Sequence, residues 1–113
     1  MLIKDTIKVT RLNHITENSL INVALAFEFN NNQAKLSFKY IPDKYKIEQD
    51  SLKQYLQELK NSQSFNLEEL AARLTEDLYD MAVPKQIDVN VEQIVDDITT
   101  SIQTSKAQPN FKK

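Results

Sequence analysis

The chain has 113 residues, enough for one domain with a sizeable core, and 41% of them are hydrophobic, which excludes wholesale disorder. It contains no cysteine and no glycine, which excludes disulfides, thiolate zinc sites, nucleophilic thiols and glycine-rich phosphate loops. The net charge is −2, with both signs interspersed, and no apolar run approaches the roughly 20 residues of a membrane helix. We therefore expect a cytoplasmic protein that binds neither nucleic acid nor membrane.

The first third of the chain predicts a β-hairpin. Apolar and polar side chains alternate over residues 20–30 and again over residues 34–40. Between them stand Asn30, Asn31 and Asn32, and asparagine is the best substitute for glycine where a turn needs positive φ. Pro42 ends the second strand because it cannot donate to the ladder. Residues 7–10 can form a further short strand.

The middle of the chain predicts two helices. Leucines recur at helical spacing from Leu52, where Asp50 or Ser51 can cap the start, and again from Leu67 to Met81. Asn66 and Glu69 have capping-box spacing, and Pro84 ends the second helix. Alternation returns over residues 87–92, and a last strand fits residues 98–104.

The predicted order is ββααββ, so the fold class is α+β, an antiparallel sheet with both helices on one face. We predict an N-terminal extension over residues 1–15, one domain over residues 16–104 and a flexible tail over residues 105–113. The expected core residues are Ile21, Val23, Leu25, Phe27, Leu36, Phe38, Leu56, Leu59, Leu70 and Leu74.

Two segments resemble the 7-cyano-7-deazaguanine reductases, nitrile reductases of the tunnelling fold, or T-fold. They are Tyr40-Ile41-Pro42-Asp43-Lys44, and the stretch of residues 48–55 in which Glu48, Ser51, Leu52, Lys53 and Tyr55 match the family signature. The resemblance extends over roughly residues 20–95. It implies a T-fold ββααββ unit that pairs its edge strands with further copies to form a barrel homo-oligomer.

The same resemblance argues against nitrile reduction. The family's first hairpin carries a loop with the cysteine that attacks the nitrile, whereas this chain has a tight turn there. Asp50 stands where the family has a lysine that helps to hold the NADPH phosphate. Asn66 and Leu67 replace the family's histidine and substrate-anchoring glutamate. The resemblance therefore implies no catalytic residue and no cofactor.

Four residues remain as candidates for ligand binding. T-fold enzymes seat a purine-like or pterin-like ring against a glutamate, a role that Glu48 can fill, although the helix dipole alone favours a carboxylate there. Ser51 belongs either to the same pocket or to the start of the helix. Lys53 follows the signature, and Glu68 either replaces the lost anchor or is a first-turn carboxylate.

Two functions remain open. In the first, the protein is a non-reductase relative that binds a purine-like or pterin-like heterocycle or assembles with partners. The alternative is an enzyme of other T-fold chemistry that uses Glu48. We favour the first, because the chain lacks the histidines with which pterin-forming relatives bind zinc. The single histidine, His14, has no cluster of metal-ligand residues around it in the sequence, so no metal site is expected.

Overall fold

The computed structural model describes residues 2–13 and 19–111, so His14 and the predicted boundary between residues 15 and 16 lie outside the described residues. The elements in chain order are a 3-10 helix, Ile3–Thr6, and then β1 (Val9–Arg11), β2 (Ile21–Phe29), β3 (Asn32–Ile41), β4 (Tyr45–Ile47), α1 (Asp50–Ser62), α2 (Leu67–Ala82), β5 (Gln86–Val95) and β6 (Ile98–Ala107). The predicted order ββααββ is confirmed by β2, β3, α1, α2, β5 and β6. The last strand continues three residues beyond the predicted 98–104.

The main sheet has four antiparallel strands in the order β2-β3-β5-β6. One row of apolar side chains crosses all four strands in register, formed by Leu25, Leu36, Val91 and Ile102. This row faces the helices, because alternate residues of a strand point to opposite faces of the sheet. Among the described residues, the strands β2 and β6 each have one neighbour in the sheet, so within residues 2–13 and 19–111 each leaves one edge of its backbone unpaired.

Both long hairpins close with two residues in the left-handed conformation. Asn30 and Asn31 have φ values of 51° and 65°, and Asp96 and Asp97 have φ values of 51° and 64°. The asparagine turn was predicted, but it is tighter than predicted because Asn32 already pairs with the last residue of β2. Asparagine and aspartate tolerate positive φ better than other residues with a side chain, and they serve here in a chain without glycine.

The two helices bury their leucine faces against the sheet. Asn66 caps α2 as predicted: its side chain accepts from the Glu69 N–H at 2.7 Å, and the Glu69 carboxylate accepts from the Asn66 N–H at 3.0 Å. The cap predicted for α1 is wrong, because Gln49 occupies the N-cap position and makes no side-chain capping bond. Among the described residues, no helix has both the length and the apolar character that a bilayer span requires.

The core follows the prediction except along β2. Seven of the ten expected core residues are buried, whereas Ile21, Leu25 and Phe27 are half-buried and pack against the core from its side. These three residues are only half-buried because β2 is an edge strand and the helices leave a groove above it.

A second, two-stranded sheet pairs β1 with β4, and the sequence did not predict β4. Three residues are too few to show a period, so β4 gave no signal. This small sheet and the turn before it contribute Ile7 and Ile47 to the core, each 1% exposed. The N-terminal segment is thereby packed against the helices, and the Thr6 hydroxyl donates to the Glu58 carboxylate of α1.

Candidate functional site

Glu48 lies where the chain passes from β4 into α1. Its backbone N–H donates to the Lys8 carbonyl at 2.7 Å, and its carboxylate Oε1 accepts from the Thr10 hydroxyl of β1. The side chain is otherwise exposed to solvent. The carboxylate therefore holds β1 in place and also presents a negative charge near the first turn of α1, where the helix dipole stabilises it.

Ser51 lies beside Glu48 in the first turn of α1, and it also bonds Lys8 in the segment before β1. Its hydroxyl donates to the Glu48 carbonyl at 2.6 Å and accepts from the Lys8 N–H at 2.9 Å. The structure thus brings together two of the four candidate residues. Both make contacts that fasten the N-terminal segment to the start of α1.

Lys53 lies elsewhere, in a groove between β2 and α1 that we call the β2 flank. The groove has a volume of about 280 Å³, with an apolar floor and lysines at its rim. Its lining residues are Leu25, Ala26, Phe27, Glu28, Lys53, Leu56, Gln57 and Lys60. The Lys60 ammonium donates to the Glu28 carbonyl at 2.6 Å and lies 5.9 Å from the centre of the Phe27 ring.

Glu68 lies on the opposite side of the molecule. The Thr75 hydroxyl of α2 contacts the Thr104 hydroxyl of β6, and it donates to the Ala71 carbonyl at 2.9 Å. Glu68 is exposed and precedes Thr75 by seven residues, about two helical turns, so it lies on the same side of α2, above the β6 edge. We call this side the β6 flank. Within one chain, Glu68 and Lys53 are at opposite edges.

The hairpin turn stands beside the loop between the helices. The Asn30 side chain donates to the Phe65 carbonyl at 3.4 Å, and Phe65 is buried. Together they border a depression of about 770 Å³ that amide side chains line, among them Asn31, Gln57 and Gln63. These amides can accept and donate hydrogen bonds, and none of them is a nucleophile or a general base.

The sheet face turned away from the helices is polar. Lys39 stands opposite Asp88 in register, and Lys35 stands opposite Glu92. The Ser101 hydroxyl donates to the Asn90 side-chain oxygen at 3.0 Å. A shallow depression of about 730 Å³ covers part of this face. Oppositely charged cross-strand pairs keep the face hydrated and close to neutral.

Tyr55, a signature residue, is fully buried and belongs to the core. Its hydroxyl donates to the Asp77 carboxylate at 2.6 Å, and the Arg73 Nε donates to the same oxygen at 3.0 Å. Burial raises the pKa of the Tyr55 hydroxyl far above its ordinary range, and its hydrogen bond to Asp77 adds to the shift. From the sequence, Asp77 was interpreted with Glu76 and Asp80 as part of a solvated face, and this is wrong for Asp77, which is 5% exposed. Its spacing of four residues from Arg73 on a helix was a signal for the ion pair.

Metal chemistry has no evident centre in the described part of the chain. Nowhere in residues 2–13 and 19–111 do three His, Cys, Asp or Glu side chains converge closely enough to hold an ion. The four candidate residues form one pair, Glu48 with Ser51, and two separate positions on opposite flanks. In a single chain, the four candidate residues therefore present hydrogen-bonding groups and charges at the edges of the molecule.

The four-stranded antiparallel sheet with two helices inserted between its hairpins is the α+β architecture of a T-fold unit. The family model for "QueF-like protein" matches residues 32–110, more than two thirds of the sequence. The chain belongs to the QueF-like protein family.

The fold has a counterpart among solved structures, the apo form of the archaeosine synthase QueF-Like. That chain is 16% identical in sequence, the TM-score is 0.61, and the match covers 82% of this chain and 98% of the other. No curated protein matches the sequence. The family match and the shared fold confirm the resemblance to the 7-cyano-7-deazaguanine reductases and the predicted T-fold unit.

Proposed function

We propose that this protein is a QueF-like T-fold subunit that does not reduce nitriles and that acts through binding a purine-like or pterin-like heterocycle or through assembly. The observation that carries the proposal is the Asn30-Asn31 turn. Phe29 pairs directly with Asn32 across it, so no loop projects from the hairpin where the reductases carry their nucleophilic cysteine. A covalent thioimide requires a thiolate, and the chain has no cysteine.

The first residue of α1 argues against binding of NADPH. Asp50 is the first residue of α1 and is exposed, at the position where the resemblance implies a lysine for the NADPH phosphate. A carboxylate there repels a phosphate group. We therefore propose that the protein uses no nicotinamide cofactor.

The open edges of the sheet support assembly with further copies. The strand β2 has nine residues and β6 has ten, and in the part of the chain that the structure describes each has one unpaired side. Long unpaired edges are templates for adding another strand. We propose that copies of the chain associate through these edges as a homo-oligomer in the cytoplasm.

A ligand site between subunits fits the positions of the four candidate residues. Lys53 and Glu68 occupy opposite flanks of one chain, and we propose that association through the open edges brings Lys53 of one copy toward Glu68 of the next. We propose that the polar edge of a bound ring meets the Glu48 carboxylate near Ser51. The archaeosine synthase fold match and the family together support a role related to the queuosine or archaeosine pathway.

The experiment is an assay of NADPH oxidation with 7-cyano-7-deazaguanine. We expect no turnover above the no-enzyme background, because no residue can form the covalent adduct. A cysteine-containing reductase in the same reaction mixture is the positive control. Turnover by the purified protein that follows protein concentration would overturn the proposal.

A further inference from the structure

The small sheet of β1 and β4 carries an excess of positive charge. Its strands and the residues that flank them expose four cationic side chains, namely Lys8, Arg11, Lys44 and Lys46. In the part of the chain that the structure describes, none of the four lies within ion-pair distance of a carboxylate. The whole chain has a net charge of −2, so this positive charge is local. We call the surface formed by these four residues the basic face.

The cations of the basic face lie close enough to repel one another. Ile47 is buried, so its neighbour Lys46 points to solvent, and Thr10 stands opposite Lys46 in register. Lys8 is therefore the diagonal neighbour of Lys46, about 7–8 Å away between backbones. The nearby Glu48 carboxylate already accepts from the Thr10 hydroxyl. An anionic partner would relieve the repulsion.

The outer edge of β1 presents backbone groups that are free to bond a further strand. The Glu48 N–H donates to the Lys8 carbonyl at 2.7 Å, so the backbone of Lys8 bonds toward β4. Hydrogen-bonding directions alternate along an antiparallel strand, so the N–H and C=O groups of Val9 and Arg11 point away from β4. Among residues 2–13 and 19–111, these groups have no backbone partner.

The outer edge of β4 is different, because the Ile47 N–H there donates to the Tyr40 hydroxyl at 3.0 Å inside the protein. An added strand therefore fits beside β1, about 5 Å from β1 and about 10 Å from β4. Lys8 would be the direct neighbour of such a strand. Lys46 would also reach it, because the side chains of a lysine and a glutamate together span that separation.

These features favour a peptide over a nucleic acid. An open strand edge recognises the backbone of an extended peptide, which a nucleic acid does not have. Single-stranded nucleic acids are bound mainly by stacking bases on exposed aromatic rings. The ring on this sheet, Tyr45, is half-buried, and the Arg11 guanidinium lies 6.0 Å from its centre.

We infer that β1 is the docking strand for an extended acidic segment of a partner protein. The segment adds to the outer edge of β1, where its backbone bonds Val9 and Arg11. Its carboxylates, on alternate residues, face Lys8 and Lys46. The inference goes beyond the proposed function, and it depends neither on a heterocycle ligand nor on self-association.

The geometry also specifies which amides of the segment bond β1. Residues opposite each other in a sheet point their side chains to the same face. Acidic residues of the segment therefore stand opposite Lys8 and Thr10, and the residues between them stand opposite Val9 and Arg11. Only these intervening residues turn their backbone groups toward β1.

Fluorescence anisotropy with labelled peptides that alternate valine and glutamate tests the inference. We expect saturable binding of this peptide and none of the same peptide with lysine in place of glutamate. N-methylation of the valine amides should weaken binding about 10-fold, because those amides face β1. N-methylation of the glutamate amides is the matched control and should leave the affinity nearly unchanged.

Charge reversal on the protein tests the other half of the contact. We expect Lys8→Glu with Lys46→Glu to weaken binding of the glutamate peptide about 10-fold, since like charges then face each other. The same variant should gain binding of the lysine peptide. The control, Lys35→Glu with Lys39→Glu, makes an equal change of charge on the polar face of the main sheet and should bind as the wild type does.

Each contrary outcome overturns a stated part of the inference. No saturable binding of the glutamate peptide by the wild type overturns it entirely. Equal affinities for the two methylated peptides overturn strand addition. Unchanged affinity in the Lys8 and Lys46 variant, with circular dichroism showing it folded, overturns the charge pairing. A labelled oligothymidylate that binds as tightly as the peptide assigns the basic face to nucleic acid and also overturns the inference.

Discussion

The hydroxyl of Tyr55 donates a 2.6 Å hydrogen bond to the carboxylate of Asp77, which joins α1 to α2 inside the core. Asp77 is 5% exposed and also accepts from Arg73. We expect Asp77→Ala to lower the free energy of unfolding by about 2–3 kcal/mol, because it leaves a buried hydroxyl without its acceptor and a guanidinium without its partner. Urea denaturation measures the loss.

The matched control is Asp80→Ala on the same helix. Asp80 pairs with Lys4 at 3.1 Å, but both side chains are partly exposed, so the expected loss is below about 1 kcal/mol. Equal losses for the two alanine variants would show that the buried contact has no special weight. A double-mutant cycle of Asp77→Ala and Tyr55→Phe gives the coupling energy between these two side chains.

Alkaline pH is expected to destabilise the fold through its buried tyrosines. Burial raises the pKa of Tyr40 and of Tyr55 above the ordinary value of 10.0. The unfolded chain therefore releases these protons at a lower pH than the folded chain, so stability is full below pH 10 and falls above it. Each tyrosine contributes a slope of up to about 1.4 kcal/mol per pH unit. Tyr55→Phe should give a shallower slope between pH 10 and 12, and an unchanged slope would contradict this assignment.

Val83 ends α2 in a conformation that suits it poorly. Its φ is 41° and its ψ is 56°, which is left-handed, and its side chain is 44% exposed. A β-branched residue is strained there, so we expect Val83→Asn to raise the free energy of unfolding by about 1 kcal/mol. Val95→Asn is the control, since Val95 is also an exposed valine but lies in a strand. A loss of stability in Val83→Asn would argue against strain.

Asn31 tests the opposite case, a left-handed position that a favoured residue already occupies. Its φ of 65° favours asparagine or glycine, so Asn31→Ala should cost about 1 kcal/mol whereas Asn31→Gly costs little or nothing. Asn61→Ala, in the last turns of α1, removes the same side chain without a left-handed backbone. Thermal unfolding compares the three variants, and equal midpoints for alanine and glycine at position 31 would exclude the conformational explanation.

Ligand binding at Glu48 is testable by calorimetry with a panel of purines and pterins. A carboxylate that accepts two N–H bonds from a ring is worth about 1.5–3 kcal/mol, so Glu48→Gln should weaken binding roughly 10- to 100-fold. Glu92→Gln makes the same chemical change on the polar sheet face and should bind as the wild type does. Equal affinity in the Glu48 variant moves the site elsewhere, and no binding by the wild type leaves assembly as the role.

The sequence predicted the elements that have a clear period and missed the short strand β4. The alternation through Leu36 and Phe38 and the leucine spacing from Leu52 were sufficient for the hairpin and α1. The strand β4 is three residues long, and its partner lies more than 30 residues earlier in the chain, so no local pattern marks it. The half-burial of Leu25 depends on β2 being an edge strand, which periodicity does not specify.

The candidate site was less predictable than the fold, because it depends on which residues meet in space. Glu48 and Ser51 contact each other because they are three positions apart where the chain enters α1. It gave no indication that Thr10 would bond the Glu48 carboxylate across the small sheet. The placement of Lys53 and Glu68 on opposite flanks follows from strand order, which local spacing does not report.

The burial of Ile7 limits how far the chain can be truncated from its N-terminal side. The family match begins at residue 32, yet Ile7 is 1% exposed and the 3-10 helix before it contacts both α1 and α2. A fragment that keeps only residues 32–110 would lose β2, the pairing of β1 with β4, and the 3-10 helix that packs against α1 and α2. We therefore expect a fragment that begins near residue 3 to be more stable than one that begins at residue 32, where the family match starts.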